Sequence, residues 1–181
     1  MAAFNTEDAA RQGRSEAIPT GWTKYSPSNR ALWLNLISYG LCMLLLFGLI
    51  PFLLITGNTR QPVSPLEAAA SCVLGLIFFS IFLRLIPPLL NRAGHFLLVT
   101  SDGFVLVAGR KVTGMPFTET STASREPGLL GAKLVIQRRS GKALALPIGR
   151  VYGTRALREM EETLTAAIKA SSQEKRKKTK R

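Results

Sequence analysis

Residues 31–56, ALWLNLISYGLCMLLLFGLIPFLLIT, run for 26 positions without a charged side chain. A helix rises ~1.5 Å per residue and the hydrocarbon core of a bilayer is ~30 Å thick, so about 20 apolar residues suffice to cross it. A buried helix of a water-soluble domain is usually shorter and carries a polar stripe. The stretch therefore reads as a membrane span, and the chain as an anchored protein.

A second span follows. Residues 68–83, AAASCVLGLIFFSIFL, are uncharged, and the apolar run resumes after Arg84 as Leu85-Ile86-Pro87-Pro88-Leu89-Leu90. An arginine near a helix end can carry its guanidinium out to the headgroups, which lets the next turn count toward the span. Pro87-Pro88 is expected to stop the helix, because proline lacks the N–H and clashes with the preceding turn. Turn-forming residues link the two spans, Gly57-Asn58-Thr59-Arg60-Gln61-Pro62. The expectation is a transmembrane hairpin over 31–90, with spans at about 31–56 and 67–88.

Basic residues orient the hairpin. Arg11, Arg14, Lys24 and Arg30 precede the first span, Arg60 alone lies in the linker, and 18 of the 24 Lys and Arg follow from Arg92 onward. An excess of Lys and Arg on one side marks the cytoplasmic face, so both termini are expected there, in an inner or thylakoid membrane. Trp22, Tyr25 and Trp33 bracket the start of the first span, where amphipathic rings favour the interface. With Arg84 they are the expected interface anchors. No cleavable signal peptide is expected, since the apolar run starts late and is too long.

The formal net charge of +13 points first to anionic lipid headgroups. No nucleic-acid-binding signature accompanies it, and no nucleic-acid partner is expected. Cys42 and Cys72 fall at different depths and read as small packing residues rather than a disulfide. Ser71 and Gly75 make a small-xxx-small pair, and Gly40 and Gly48 offer similar gaps on the first span. These gaps serve either to pack the hairpin on itself or to seat a helix of another integral membrane protein.

The water-facing part begins near Gly94. His95–Thr100 and Phe104–Ala108 are strand-forming runs around Ser101-Asp102-Gly103, which is read as a type I′ hairpin turn. A third strand is expected over 112–118 at a sheet edge, given Pro116. ETSTASREPGLLG (119–131) reads as a long loop or short irregular strand. Lys133–Arg138 and Lys142–Ile148 flank a Ser140-Gly141 turn, with Leu134 and Ile136 on one face and Leu144, Leu146 and Ile148 on another. Leu157, Met160, Leu164 and Ile168 then recur at spacings of three and four, predicting an amphipathic helix over about 154–170. The chain thus divides into an N-terminal segment (1–30), the hairpin (31–90), a small antiparallel β domain with a closing helix (94–170) and a basic tail (171–181). The fold class is an α+β membrane protein.

LLVTSDGFVLVAG, LVIQRRSGKALALPI and TRALREMEETLTAAI together resemble the bacterial pleckstrin-homology-like domains of small membrane proteins. That resemblance implies a membrane-tethered, non-catalytic module. The whole layout, with GAKLVIQRRSGKALALPIGR, is also similar to the two-span photosystem I assembly factor of cyanobacteria and chloroplasts.

Catalysis finds little to work with. His95 is the one histidine, set at the start of a strand, and reads as structural; two cysteines inside the spans supply no zinc set. Asp102 belongs to its turn, and Glu159, Glu161 and Glu162 to a solvated helix face. GLLGAK (128–133) lacks the spacing of a phosphate loop and the Ser or Thr that follows one. No enzyme activity and no cofactor or metal is expected. The tail carries Lys175, Arg176, Lys177, Lys178, Lys180 and Arg181, six basic residues in the last eight. It reads either as a disordered solubilising end or as a lipid or partner contact, to which Arg138 and Arg139 would add. Three roles fit these features: a non-enzymatic scaffold or assembly factor, an anionic-lipid-contacting regulatory module, or an accessory subunit of a membrane complex. In a background lacking Cys42 and Cys72, a cysteine at Asn58 should react with an impermeant thiol reagent on intact cells. One at Ser172 should react only after the membrane is opened, and the reverse pattern would invert the topology.

Overall fold

The computed structural model describes residues 4–15, 18–50, 52, 64–128, 131–146 and 148–179. The expected linker at 57–65 falls almost wholly outside these residues, as do Pro51, Lys180 and Arg181. A short helix, α1 (Thr6–Arg14), and a strand, β1 (Thr23–Tyr25), precede the first long helix, α2 (Asn29–Leu44), which continues as a π turn at Leu45–Leu49. The second long helix is α3 (Pro65–Leu90). Six strands follow: β2 (His95–Val99), β3 (Gly103–Ala108), β4 (Lys111–Pro116), β5 (Thr120–Glu126), β6 (Lys133–Arg138) and β7 (Leu144–Leu146). The closing helix is α4 (Gly149–Thr179). The fold is α+β, with one antiparallel sheet in the order β1-β2-β3-β4 and another in the order β5-β6-β7.

The first sheet is covered on both faces, which explains why β2 and β3 read as unbroken apolar runs. Leu97, Val99 and Phe104 point inward, where they meet Leu134 and Ile136 of the second sheet and Leu157, Met160, Leu164 and Ile168 of α4. Phe96, Leu98, Val105 and Val107 point the other way and lie under α1. The small residues Ala9, Ala10 and Gly13 make that contact. A Cβ on Gly13 would lie 2.5 Å from the Phe96 ring, so α1 sits as close to the sheet as a helix can. Asn5 caps α1 by accepting from the Glu7 and Asp8 amides.

Several elements depart from the sequence reading. The N-terminal segment, read only as a segment of its own, contributes α1 and β1 to the domain. Of the two alternatives for 119–131, the irregular strand is the one found: residues 120–126 form a seven-residue edge strand with a register shift between Thr120 and Thr122. Their polarity is that of a strand edge held by side chains of α4: Glu161 accepts from the Arg125 amide at 3.1 Å, and Thr165 donates to the Ala123 carbonyl at 3.4 Å. The Ser101-Asp102-Gly103 turn is not type I′, since among the described residues no non-glycine has positive φ and Gly103 is not among the glycines that do. The Thr100 hydroxyl instead accepts from the Gly103 amide at 3.1 Å and closes a two-residue loop. Pro87 and Pro88 do not stop α3, which runs on to Leu90; the Asn91 amide still finds the Pro87 carbonyl at 2.9 Å.

The tail also differs from expectation. The α4 backbone continues helical to Thr179 instead of ending near 170. Gln, Glu, Lys and Arg are good helix formers, and an existing helix extends more readily than a new one nucleates.

Tyr152 is buried in the core, and burial pushes its phenol well above the ordinary value of 10.0. Below about pH 10 the folded and unfolded chains both keep this proton. Above that, the unfolded chain ionises while the folded one does not, so stability falls by up to ~1.4 kcal/mol per pH unit. Tyr152→Phe should remove that share of the alkaline loss between about pH 10 and 12. Denaturant unfolding of the detergent-solubilised chain across this range measures it, and equal slopes for both proteins would refute the assignment.

Candidate functional site at the helix–domain junction

The two long helices are apolar enough to cross a membrane, with mean hydropathies of 1.8 and 2.3 over the most apolar 18 residues within Asn29–Gly48 and Leu66–Leu90. Only 6% and 17% of their most apolar windows is buried, which separates them from core helices of a globular domain. They pair antiparallel through aromatic side chains set against glycines. Gly75 faces the Phe47 ring, where a Cβ would lie 2.6 Å from it, and Gly40 faces Phe82 at 3.6 Å. Tyr39 and Phe78 meet with ring centroids 5.9 Å apart. Gly40 and Gly75 therefore pack the pair on itself. Nothing lies within 4 Å of a Cβ built on Gly48, and Ser71 is half-buried.

The pair is fastened to the domain at both crossings. On the outward path the Ser28 amide donates to the Val151 carbonyl at 3.1 Å, and Ser28 Oγ accepts from the Ala31 amide. One turn on, Asn35 Nδ2 donates to the Arg150 carbonyl at 2.7 Å and to the Ala31 carbonyl at 2.9 Å. The Arg150 guanidinium reaches to 5.8 Å from the Tyr39 ring centroid, within cation–π range. This approach needs Gly153: its φ of 81° is left-handed, and its Cβ position is 3.4 Å from Ala31 Cβ. On the return path Asn91 caps α3 and its side chain accepts from the Gly94 amide at 3.1 Å. Arg92 Nη2 then donates to the Pro27 carbonyl at 2.7 Å, tying the two crossings together. His95 hydrogen-bonds the Asn91 carbonyl through Nδ1 at 2.8 Å, a structural use of the ring.

The expected interface anchors separate into two groups. Trp33 is 52% exposed on the first turns of α2, and Arg84 is exposed on α3. Trp22 and Tyr25 are instead absorbed by the domain. Trp22 packs on the α1-covered core, and Tyr25 pairs with Leu97 while its hydroxyl meets Thr163 Oγ1 at 2.7 Å. A ring just before an apolar helix looks interfacial by spacing alone, but β1 holds Tyr25 in the sheet and Trp22, just before the strand, packs against the domain.

Among the described residues, the basic residues expected to touch lipid lie at or beside the far end of α4. Arg139 bonds Ser172 Oγ at 2.9 Å and the Thr120 carbonyl, and Arg138 is exposed beside it. Ser172 is about 27 Å along α4 from its bend at Gly153, and exposed Lys177 still farther. The backbone of Lys175, Arg176 and Lys178 lies in the same helical extension. None of these is brought to the junction.

Asn35, Arg92 and Arg150 escaped the sequence reading. A readable signal existed for Asn35 alone, as the polar residue among ALWLNLIS. The α1 helix also had one: an Asn cap, two acids in the first turn and two arginines in the last. No family model, curated protein or solved structure matches this chain. Asn35→Leu leaves the Arg150 carbonyl without its side-chain donor and should cost ~1 kcal/mol. Faster limited proteolysis at the 149–153 turn in detergent would report it, and unchanged cleavage would show the clamp to be idle.

Proposed function

We propose that the chain is a non-enzymatic, membrane-anchored scaffold or assembly factor. Its helix pair inserts in a bilayer, both termini lie on the cytoplasmic side, and its β domain holds a partner against that face. The observation that carries this reading is the two-sided construction of the domain. One sheet contains a strand from before the helix pair and three from after it, and Ser28, Asn35 and Arg92 bond across the junction. A mobile tether needs none of this. A platform that presents its surface at a fixed height and angle does.

The order of elements supports a pleckstrin-homology-like module: four antiparallel strands, three antiparallel strands and a closing helix. The outward stripe of α2, with Leu34, Ile37, Leu41 and Leu44 each at least 59% exposed, supports docking against another integral membrane protein. The stripe follows i, i+3, i+7 and i+10, so it is one continuous helix face.

A photo-crosslinking residue at Ile37 should capture one recurrent membrane protein in native membranes. Combined Ile37→Ala and Leu41→Ala should reduce co-purification of that protein in mild detergent severalfold while the chain stays membrane-bound. Capture of lipid alone would sink the scaffold reading.

A further inference from the structure

We infer that the end of the domain from which the two helices emerge is a binding surface for anionic phospholipid headgroups, built by Arg30, Arg92, Arg110 and Lys111 with Arg14 at its rim. This rests on the reading that the helices cross a bilayer. Three stretches of chain lie side by side there: 27–30, 91–95 and 108–111. Arg92 binds the Pro27 carbonyl, the Gly109 amide donates to the Gly94 carbonyl at 2.8 Å, and His95 pairs with Ala108. Arg14 Nη2 joins them by donating to the Gly109 carbonyl at 3.3 Å. The stretches read PSNR, NRAGH and AGRK, with four Lys or Arg and no Asp or Glu.

All five basic residues are exposed. The bonds of Arg14 and Arg92 go to neutral carbonyls rather than carboxylates, although Glu7 and Asp8 line the same cleft as Arg14 and Arg110. Among the described residues, Arg30, Arg110 and Lys111 have no carboxylate partner, whereas Lys133, Arg155 and Arg158 elsewhere on the domain are ion-paired. Part of the domain's uncancelled charge therefore stands where the helices leave it, apart from the second group at Arg138 and Arg139. Arg30 is the second residue of α2 and Arg92 the second residue past α3, so a bilayer crossed by these helices presents its headgroups at their height. A guanidinium fits a phosphodiester oxygen pair with two parallel hydrogen bonds. An acidic protein would have to enter between bilayer and domain to reach the same residues, which favours lipid.

Full-length chain is reconstituted in phosphatidylcholine vesicles carrying traces of spin-labelled phosphatidylglycerol or spin-labelled phosphatidylcholine, and the motionally restricted fraction of each is read. At low salt the anionic lipid should be preferred by at least about fivefold, the factor for one basic group held at a bilayer surface. In 1 M salt, where the Debye length is ~3 Å, the preference should collapse toward unity. Combined Arg30→Gln, Arg110→Gln and Lys111→Gln should remove most of it, with Arg92 and Arg14 left in place. Among the described residues the side chains of these three make no hydrogen bond or ion pair, so loss of folding does not confound the result. Truncation after Gln173 should leave the preference unchanged.

Retention of the preference by the triple variant would overturn the assignment, as would its loss on truncation. A crosslinker at Lys111 that captures a protein, with no lipid preference, would overturn it in favour of a protein partner. Equal restricted fractions for both lipids would refute the headgroup surface while leaving insertion intact. No restricted fraction for either lipid, with release of the chain by alkaline carbonate, would refute insertion itself and this surface with it.

Discussion

The pairing of β1 with β2 fixes where the apolar helices can stand. Tyr25 lies opposite Leu97 and Thr23 opposite Val99, although the whole helix pair separates them in the chain. Each partner is only a few residues from its helix: Ser28 caps α2, and Asn91 ends α3 just before β2. Once the strands are in register, both crossings are held within one sheet's width. Antiparallel packing of the helices and register of the strands then support each other. The Tyr25 hydroxyl extends the constraint by reaching the Glu159 carbonyl and Thr163 on α4, so the closing helix is indexed to the same strand.

This pairing also explains why the domain needs α1. A four-stranded sheet whose central strands are apolar on both sides would expose Phe96, Leu98, Val105 and Val107 unless something covers them. The chain before the first long helix is the nearest segment available, and its Ala9, Ala10 and Gly13 let a helix lie flat on those rings. The inner face meets the second sheet and α4, where Leu157, Met160 and Leu164 are fully buried. The buried polar residues Thr100 and Thr120 both bond locally to carbonyls, so neither opens the core.

What could be read from the sequence divides along the range of the interactions. The apolar helices, the amphipathic α4 face and the alternation in β6 and β7 are periodic, local signals, and the structure carries all of them. The long helices meet the length and hydropathy needed to cross a bilayer, which is as far as the fold speaks to insertion. The misses are long-range. β5 could not be told from a loop because it is held by Glu161 and Thr165, residues far along the chain. Trp22 and Tyr25 looked like interface anchors because nothing local shows that β1 pairs across the hairpin. At the junction, Asn35 and Arg150 carry no motif; only contact gives them meaning. The charged tail was legible as charge, but its place at the end of a long helix was not.

The helix pair uses its small residues inwardly, and this limits what can dock on it. Gly75 and Gly40 are occupied by Phe47 and Phe82, so the close backbone approach that small residues permit is spent within the pair. What faces outward is larger: Leu34, Ile37 and Leu41 on α2, and Val73, Leu76 and Ile77 on α3. Helices meeting through such side chains pack at roughly 8–10 Å, without the tight backbone contacts of glycine-based dimers. In lipid, that packing competes with acyl chains that are equally apolar, so the helices alone give a partner little net attraction. Under the proposed scaffold reading, the α2 stripe then supplies part of the affinity, and the rest, with the selectivity, comes from the β domain, whose position the junction fixes. Severing the Asn35 and Arg92 bonds would leave the outward stripes unchanged and still weaken assembly, because the domain would no longer be held in place beside them.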